Sequence, residues 1–278
     1  MKSNFFFSFF FLPEKEKEAL RAFYTFCRKV DDETDSAPFP GEHAATTMIR
    51  KKTSLERWRS ELDRCYNGSP EDPVAIGLQK VVREFSLSKE YLEEILKGME
   101  MDIAGTSYAT FSELKLYCYR VASAVGLSSM EIFGRRSEED REGAIQLGIA
   151  LQLTNILRDI FSDLKSDRIY LPDEDFQRFS CRPEDLRDRY PSPPLIELVR
   201  FEIDRAKEFY RQAGLNLDKT KSTGSLVIRV IKETYWELLM KIERNIPELS
   251  KREISLSLGL KLGVATQAWF HYRLKAGS

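Results

Sequence analysis

The sequence predicts an all-α chain folded as one helical bundle, and three observations carry that expectation. Apolar residues recur at intervals of three and four along most of the 278 residues, the period of helices that bury one face. Alternating apolar and polar runs of the kind that build strands are almost missing. No stretch rich in proline, glycine and serine and no shift of composition divides the chain, so residues 1–278 read as a single domain whose 42% hydrophobic content can fill a large core.

The elements follow in order. Pro13 suits the first position of a helix, and residues 14–36 read as that helix, ending before Pro38. Residues 42–66 form a second, closed by Asn67-Gly68-Ser69-Pro70. Helices over 73–85 and 89–104 come next, the latter capped by Ser88. Residues 112–133 make a strongly apolar helix that Gly134 can terminate. The long helix of residues 138–165 is followed by a segment, 170–194, dense in proline and aspartate, which reads as a loop with a short helical turn. Helices over 195–217, 224–245 and 252–274 complete the bundle.

Bulk properties exclude several classes of function. A net charge of -1 gives no basic field for nucleic acid, so an anion would have to be held by individually placed cations. Cys27, Cys65, Cys118 and Cys181 are widely spaced, which offers neither zinc-ligand spacing nor a disulfide framework. Two histidines, His43 and His271, argue against multi-histidine metal sites and weaken a Ser-His-Asp triad. The apolar run from Phe5 to Leu12 is too short to span a bilayer, and the charged residues after Pro13 stand where a signal peptide would carry small ones. The chain reads as soluble and cytoplasmic, with room for a peripheral contact at the inner face of a membrane and with no partner protein implied.

Two acidic clusters carry the chemistry. Asp31 and Asp35 lie four residues apart, as do Asp159 and Asp163, so each pair projects from one side of its helix. At about 100° per residue, Tyr24, Arg28, Asp31 and Asp35 share one arc beside the apolar Leu20, Phe23, Cys27 and Val30. Gln152, Asn155, Asp159 and Asp163 share another with Gly148, flanked by Ile145, Ile149, Ile156 and Ile160 on one side and Leu151 on the other. A solvated stripe would face away from those isoleucines. Hard oxygen donors so arranged suit Mg2+, and two such faces opposed inside a bundle would handle a diphosphate. Arg158 points about 120° away from Gln152 and reads as less suited to direct contact. Arg28 offers a planar fork to phosphate or, alternatively, a salt bridge to Asp31 or Asp32.

The segments from Phe23 to Asp35 and from Gln152 to Pro172, with Tyr117-Cys-Tyr-Arg-Val-Ala-Ser-Ala-Val-Gly126 between them, resemble the signatures of the squalene/phytoene synthase family, in the family's order. The opening Asn4-to-Pro13 phrase and the wording from Arg120 to Gly126 look most similar to bacterial presqualene diphosphate synthases of the hopanoid pathway; phytoene and dehydrosqualene synthases share every motif and form the alternative.

The resemblance implies an all-α isoprenoid synthase bundle around a central substrate cavity. It implies a Mg2+-dependent prenyltransferase that condenses two farnesyl diphosphates head to head to presqualene diphosphate. Two or three ions would be held by Asp31, Asp35, Asn155, Asp159 and Asp163, with Mn2+ as a substitute. Tyr24, Arg28, Tyr117 and Tyr170 would serve catalysis, and Arg28, Gln152, Asn155, Arg168, Tyr235, Arg252, Phe5 and Phe9 would bind substrate. Phe23, Val121, Ala124 and Leu151 are further candidate walls of an apolar, water-excluding cavity. No G-x-G-x-x-G follows a strand, NADPH is not expected, and reduction on to squalene with NADPH is the remaining alternative.

Overall fold

The computed structural model describes residues 9, 11–39, 41–188, 191–214, 222–251 and 254–276, without the side chains of residues 271 and 273–276. The described residues hold eleven α-helices and no strand: α1 (Glu14–Thr34), α2 (Ala44–Asn67), α3 (Pro73–Phe85), α4 (Lys89–Ala104), α5 (Phe111–Cys118), α6 (Ala124–Ile132), α7 (Glu138–Asp163), α8 (Asp173–Arg178), α9 (Pro193–Gln212), α10 (Thr223–Arg244) and α11 (Leu258–Ala276). Short 3-10 turns follow α7 at Leu164–Ser166 and precede α9 at Pro183–Arg187. None of these helices is long and apolar enough to cross a membrane.

Local chemistry sets the helix ends. Asp72 accepts from the Val74 N–H at 2.8 Å to start α3, and Thr110 and Glu113 form a reciprocal capping box on α5. Ser137 caps α7 through the Asp140 N–H at 3.1 Å. Gly105 and Gly134 close α4 and α6 in the left-handed region, with φ of 63° and 69°. Two expected caps differ. Pro13 sits one position earlier, at the N-cap of α1. The Ser88 side chain makes no capping bond; its backbone N–H instead donates to Glu131 Oε2 at 2.7 Å and ties α4 to α6.

Three helices also depart from expectation. The apolar segment 112–133 is not one α-helix, because Tyr119–Ser123 forms a π-helical turn between α5 and α6. An inserted residue of that kind leaves the apolar composition intact and so escapes periodicity. The last helix begins at Leu258 rather than 252, since Ile254 and Leu256 are buried while Ser255 and Ser257 between and after them are exposed. That alternation is the signature of extended backbone. α9 ends at Gln212, short of the expected 217, and residues 215–217 lie outside the description.

Two apolar cores organise the molecule. One joins α1, α2, α3 and α4 around Phe23, Phe26, Trp58, Leu78 and Ile95. The other joins α5, α7, α9 and α10 around Leu114, Leu153, Ile203, Leu238 and others. Ala124 and Ile132 of α6 and Val227 of α10 reach into the first core, and Tyr91, Phe133 and Ile231 pack against both. The π-helical turn packs on α4 and α7. A Cβ on Gly98 of α4 would stand 2.7 Å from Val121 Cγ1, and one on Gly148 of α7 would stand 2.4 Å from Ser123 Cα. Only glycine permits these approaches.

Candidate active site

The first ladder rises on α1. Arg28 holds Asp32 through Nε to Oδ2 at 3.1 Å and Nη2 to Oδ1 at 2.7 Å, while its Nη1 lies 3.6 Å from Asp31 Oδ2. The salt-bridge role anticipated for Arg28 is therefore present in this state. Burial, and then the neighbouring Asp35, push the Asp31 carboxyl above the ordinary aspartate range. One turn before Arg28, the Tyr24 ring packs at 5.5 Å from both Phe9 and Phe23, and burial raises its phenol.

The second ladder occupies the face of α7 that Gly148 presses against the π-helical turn, so it points inward. Asn155 Nδ2 donates to Gln152 Oε1 at 3.4 Å, while Asn155 Oδ1 is buried with no hydrogen-bond partner. One turn on, Arg158 donates from Nε to Asp159 Oδ1 at 2.8 Å and from Nη2 to Oδ2. Arg158 thus reaches the second ladder as a partner of Asp159: a rotation of 100° between neighbouring residues is short enough for a long guanidinium to swing back. Burial, and then the Asp159 charge, push Asp163 up to about 7.

Past α7 the chain turns back over the first ladder. Asp167 takes a left-handed φ of 54°, and Arg168 Nη2 then donates to Asp35 Oδ1. That bond, between residues 133 positions apart in the chain, ties the segment after α7 to the first ladder, and the same guanidinium acts on Asp163 at the end of the second. A small crevice lies beside it, bordered by Asp163, Arg168 and Tyr170 and by Ile156, Ile160, Ile169, Leu171 and Leu186.

Two residues that the sequence reading passed over belong here. Asp102, in the last turn of α4, accepts from the Tyr117 hydroxyl at 3.0 and 3.1 Å and from the Tyr170 hydroxyl at 3.1 Å. Burial raises it to about 6 against the opposing pull of Arg168. Lys51 of α2 feels both Asp35 and Asp102, although burial lowers its ammonium pKa. A sequence signal for Asp102 existed: Gly98-x-x-x-Asp102 repeats on α4 the spacing of Gly148-x-x-x-Gln152 on α7, a close-approach glycine one turn before an inward polar residue.

The other candidates separate cleanly. Tyr235 of α10 is 2% exposed, close enough to Tyr24 to influence its phenol. Phe9 is buried against Tyr24, Val121 and Leu151 are half-buried, whereas Phe23 and Ala124 expose nothing and are packed core rather than cavity wall. Phe5 and Arg252 lie outside the described residues.

The donors around the ladders are carboxylate and amide oxygens, which fit a hard divalent cation, and the unpartnered Asn155 Oδ1 is a buried acceptor of that kind. Among the described residues no three acidic, histidine or cysteine side chains already converge on one point. Arg28, Arg158 and Arg168 instead hold the carboxylates, leaving guanidinium and carboxylate paired face to face.

A family model described as squalene/phytoene synthase matches residues 1–259. A 15-cis-phytoene synthase of Synechococcus elongatus is 32% identical over 246 residues, spanning 84% of this chain and 77% of that protein. A phytoene synthase of Arthrospira platensis is 33% identical over 247 residues, with 84% and 77% covered. Among solved structures, a dehydrosqualene synthase in complex with ligand superposes with a TM-score of 0.85 at 25% identity, covering 98% of this chain and 93% of that one. Squalene synthase HpnC from Alicyclobacillus acidocaldarius shares the fold, with a TM-score of 0.75 at 24% identity over 85% and 86% of the two chains.

Proposed function

Because the chain belongs to the squalene/phytoene synthase family, whose members are prenyltransferases, we propose that it joins two allylic isoprenoid diphosphates head to head and releases diphosphate. The observation that supports this reading is the Arg168–Asp35 bond, which ties the segment that follows the second aspartate ladder to the first. Asp31, Asp35, Asn155, Asp159 and Asp163 would hold Mg2+, or Mn2+ in its place. The ions would supply Lewis-acid neutralisation of the departing diphosphate. Arg28, Arg158 and Arg168 would exchange carboxylate partners for diphosphate oxygens as the cations take over the aspartates, so the exchange conserves charge.

In the donor, the bond from C1 to oxygen breaks and the diphosphate leaves with the electron pair. The acceptor's 2,3 double bond attacks that C1, and a proton leaves the same carbon as a cyclopropane closes. The buried Phe9 and Tyr117 and the half-buried Tyr24 would keep water from the cation, and their ring faces would attract it. Gln152, Tyr235 and the half-buried Val121 and Leu151 would orient the isoprenoid tails. With farnesyl diphosphate the product is presqualene diphosphate, and the reaction stops there without NADPH. A second reading, geranylgeranyl diphosphate carried to phytoene, is favoured by the phytoene synthases that share about a third of their residues with this chain.

Purified protein with Mg2+ and either farnesyl or geranylgeranyl diphosphate, with and without NADPH, resolves these by mass spectrometry of the products. A cyclopropyl C30 diphosphate supports the first reading and a C40 hydrocarbon the second. Squalene formed only with NADPH contradicts the early stop. Folded protein that releases no diphosphate from either substrate overturns the condensation itself.

A further inference from the structure

Asp102 carries two phenols and, among the described residues, no ion pair. Both its oxygens accept from the Tyr117 hydroxyl, and Oδ1 also accepts from the Tyr170 hydroxyl. Among the described residues it forms no salt bridge, whereas Asp31, Asp35 and Asp159 each stand beside an arginine. The three groups come from α4, α5 and the segment after α7. Their one shared acceptor fixes the two rings against each other, with centroids 5.2 Å apart and planes 27° from parallel. Tyr108 completes the stack, 5.6 Å from Tyr117 and 6.3 Å from Tyr170.

We propose that Asp102 is a positioning residue that orients Tyr117 and Tyr170 through their hydroxyls and enriches their ring faces for contact with a carbocation. A phenol that donates to a carboxylate gains electron density, and the attraction of a cation to a ring face rises with that density. Asp102 thus lends its negative charge through the two rings, with both hydroxyl protons turned onto its own oxygens. The carboxylate also fixes how each hydroxyl points, since a phenol that donates inward to α4 cannot turn its proton toward the substrate. The catalytic part of this inference rests on the condensation proposed above; the geometric part does not.

The experiment uses the whole chain and three sets of variants. Asp102→Asn keeps an acceptor oxygen and the side-chain shape but removes the charge. It should lower kcat at least tenfold, leave KM and the Mg2+ requirement within about twofold, and shift product toward the water-quenched isoprenoid alcohol. Asp102→Glu should restore part of kcat. A rise in KM or in the Mg2+ requirement with kcat unchanged would make Asp102 a substrate or metal ligand instead and overturn the proposal.

Should Asp102→Asn not fold, Tyr117→Phe, Tyr170→Phe and their double variant decide by a cycle. Losses in kcat that fall well short of the product of the two support the shared acceptor, and multiplicative losses overturn it. Without any substrate, 3-fluorotyrosine labelling gives a separate answer. The fluorine resonances of Tyr117 and Tyr170, assigned with the phenylalanine variants, should both move in Asp102→Asn, and movement of one or neither refutes the shared acceptor. If the unaltered protein turns over no allylic diphosphate, the function proposed above fails, while the fluorine result still decides the positioning claim.

Discussion

Asp31 and Asp159 show how much of a residue's role is set by spacing and how much by its neighbours. Their positions within D-x-x-x-D were enough to nominate them, and the structure puts each beside a guanidinium, Asp31 by Arg28 and Asp159 by Arg158. Asp31→Asn or Asp159→Asn should lower turnover by about two orders of magnitude or more while helical circular dichroism stays unchanged, because preorganised charge at a leaving group contributes on that scale. Near-normal turnover in either variant would remove that residue from the chemistry. Asp102 was not legible in the same way. It is one of five acidic residues on α4, and its meaning depends on Tyr117 and Tyr170, 15 and 68 positions away. No local pattern encodes that meeting. The Arg158–Asp159 fork was not legible for the opposite reason, since backbone direction is local but the reach of a side chain is not.

Among the elements, the helices were legible wherever one face is apolar and a cap or proline marks the end; α3 and α4 begin and end where the spacing places them. The π-helical turn was not, because one residue more per turn leaves no trace in composition. Its tight seat against α7 makes a sharp prediction. Gly148→Ala would set a methyl 2.4 Å from the Ser123 backbone, and overpacking of this kind costs about 1–3 kcal/mol. A urea midpoint lowered accordingly, with lost activity from a displaced Tyr117 and Gln152, is the expected result; an unchanged midpoint would mean that the two segments separate readily. At the start of α5, Thr110→Ala breaks the capping box and should cost about 1 kcal/mol, readable in the same titration.

For the molecule as a whole, the all-α class and single bundle followed directly from periodicity, but the division into two cores did not, since helical faces say that they are buried and not against what. The division has a measurable face in proton linkage. Burial and the Asp159 charge push Asp163 up to about 7 from the ordinary aspartate value of 3.8, so between those values the folded chain keeps a proton that the unfolded chain has lost, and this group's contribution to stability falls as pH rises through that window. A divalent cation needs the ionised carboxylate and therefore competes with that proton. Millimolar Mg2+ should accordingly raise Tm more at pH 8 than at pH 6, and equal increments at both would show that Asp163 takes no part. The joint between the cores has its own consequence. Phe133, Tyr91 and Ile231 touch both, and Ala124, Ile132 and Val227 dovetail from one into the other. Each row of aspartates keeps its rung spacing by riding on a single helix, whereas α1 and α7 belong to different cores that meet through this dovetail. Substitutions along that carpentry, far from any oxygen that meets the substrate, are thus a route by which a lineage could widen or narrow the aperture for longer or shorter tails and leave the ligands as they are.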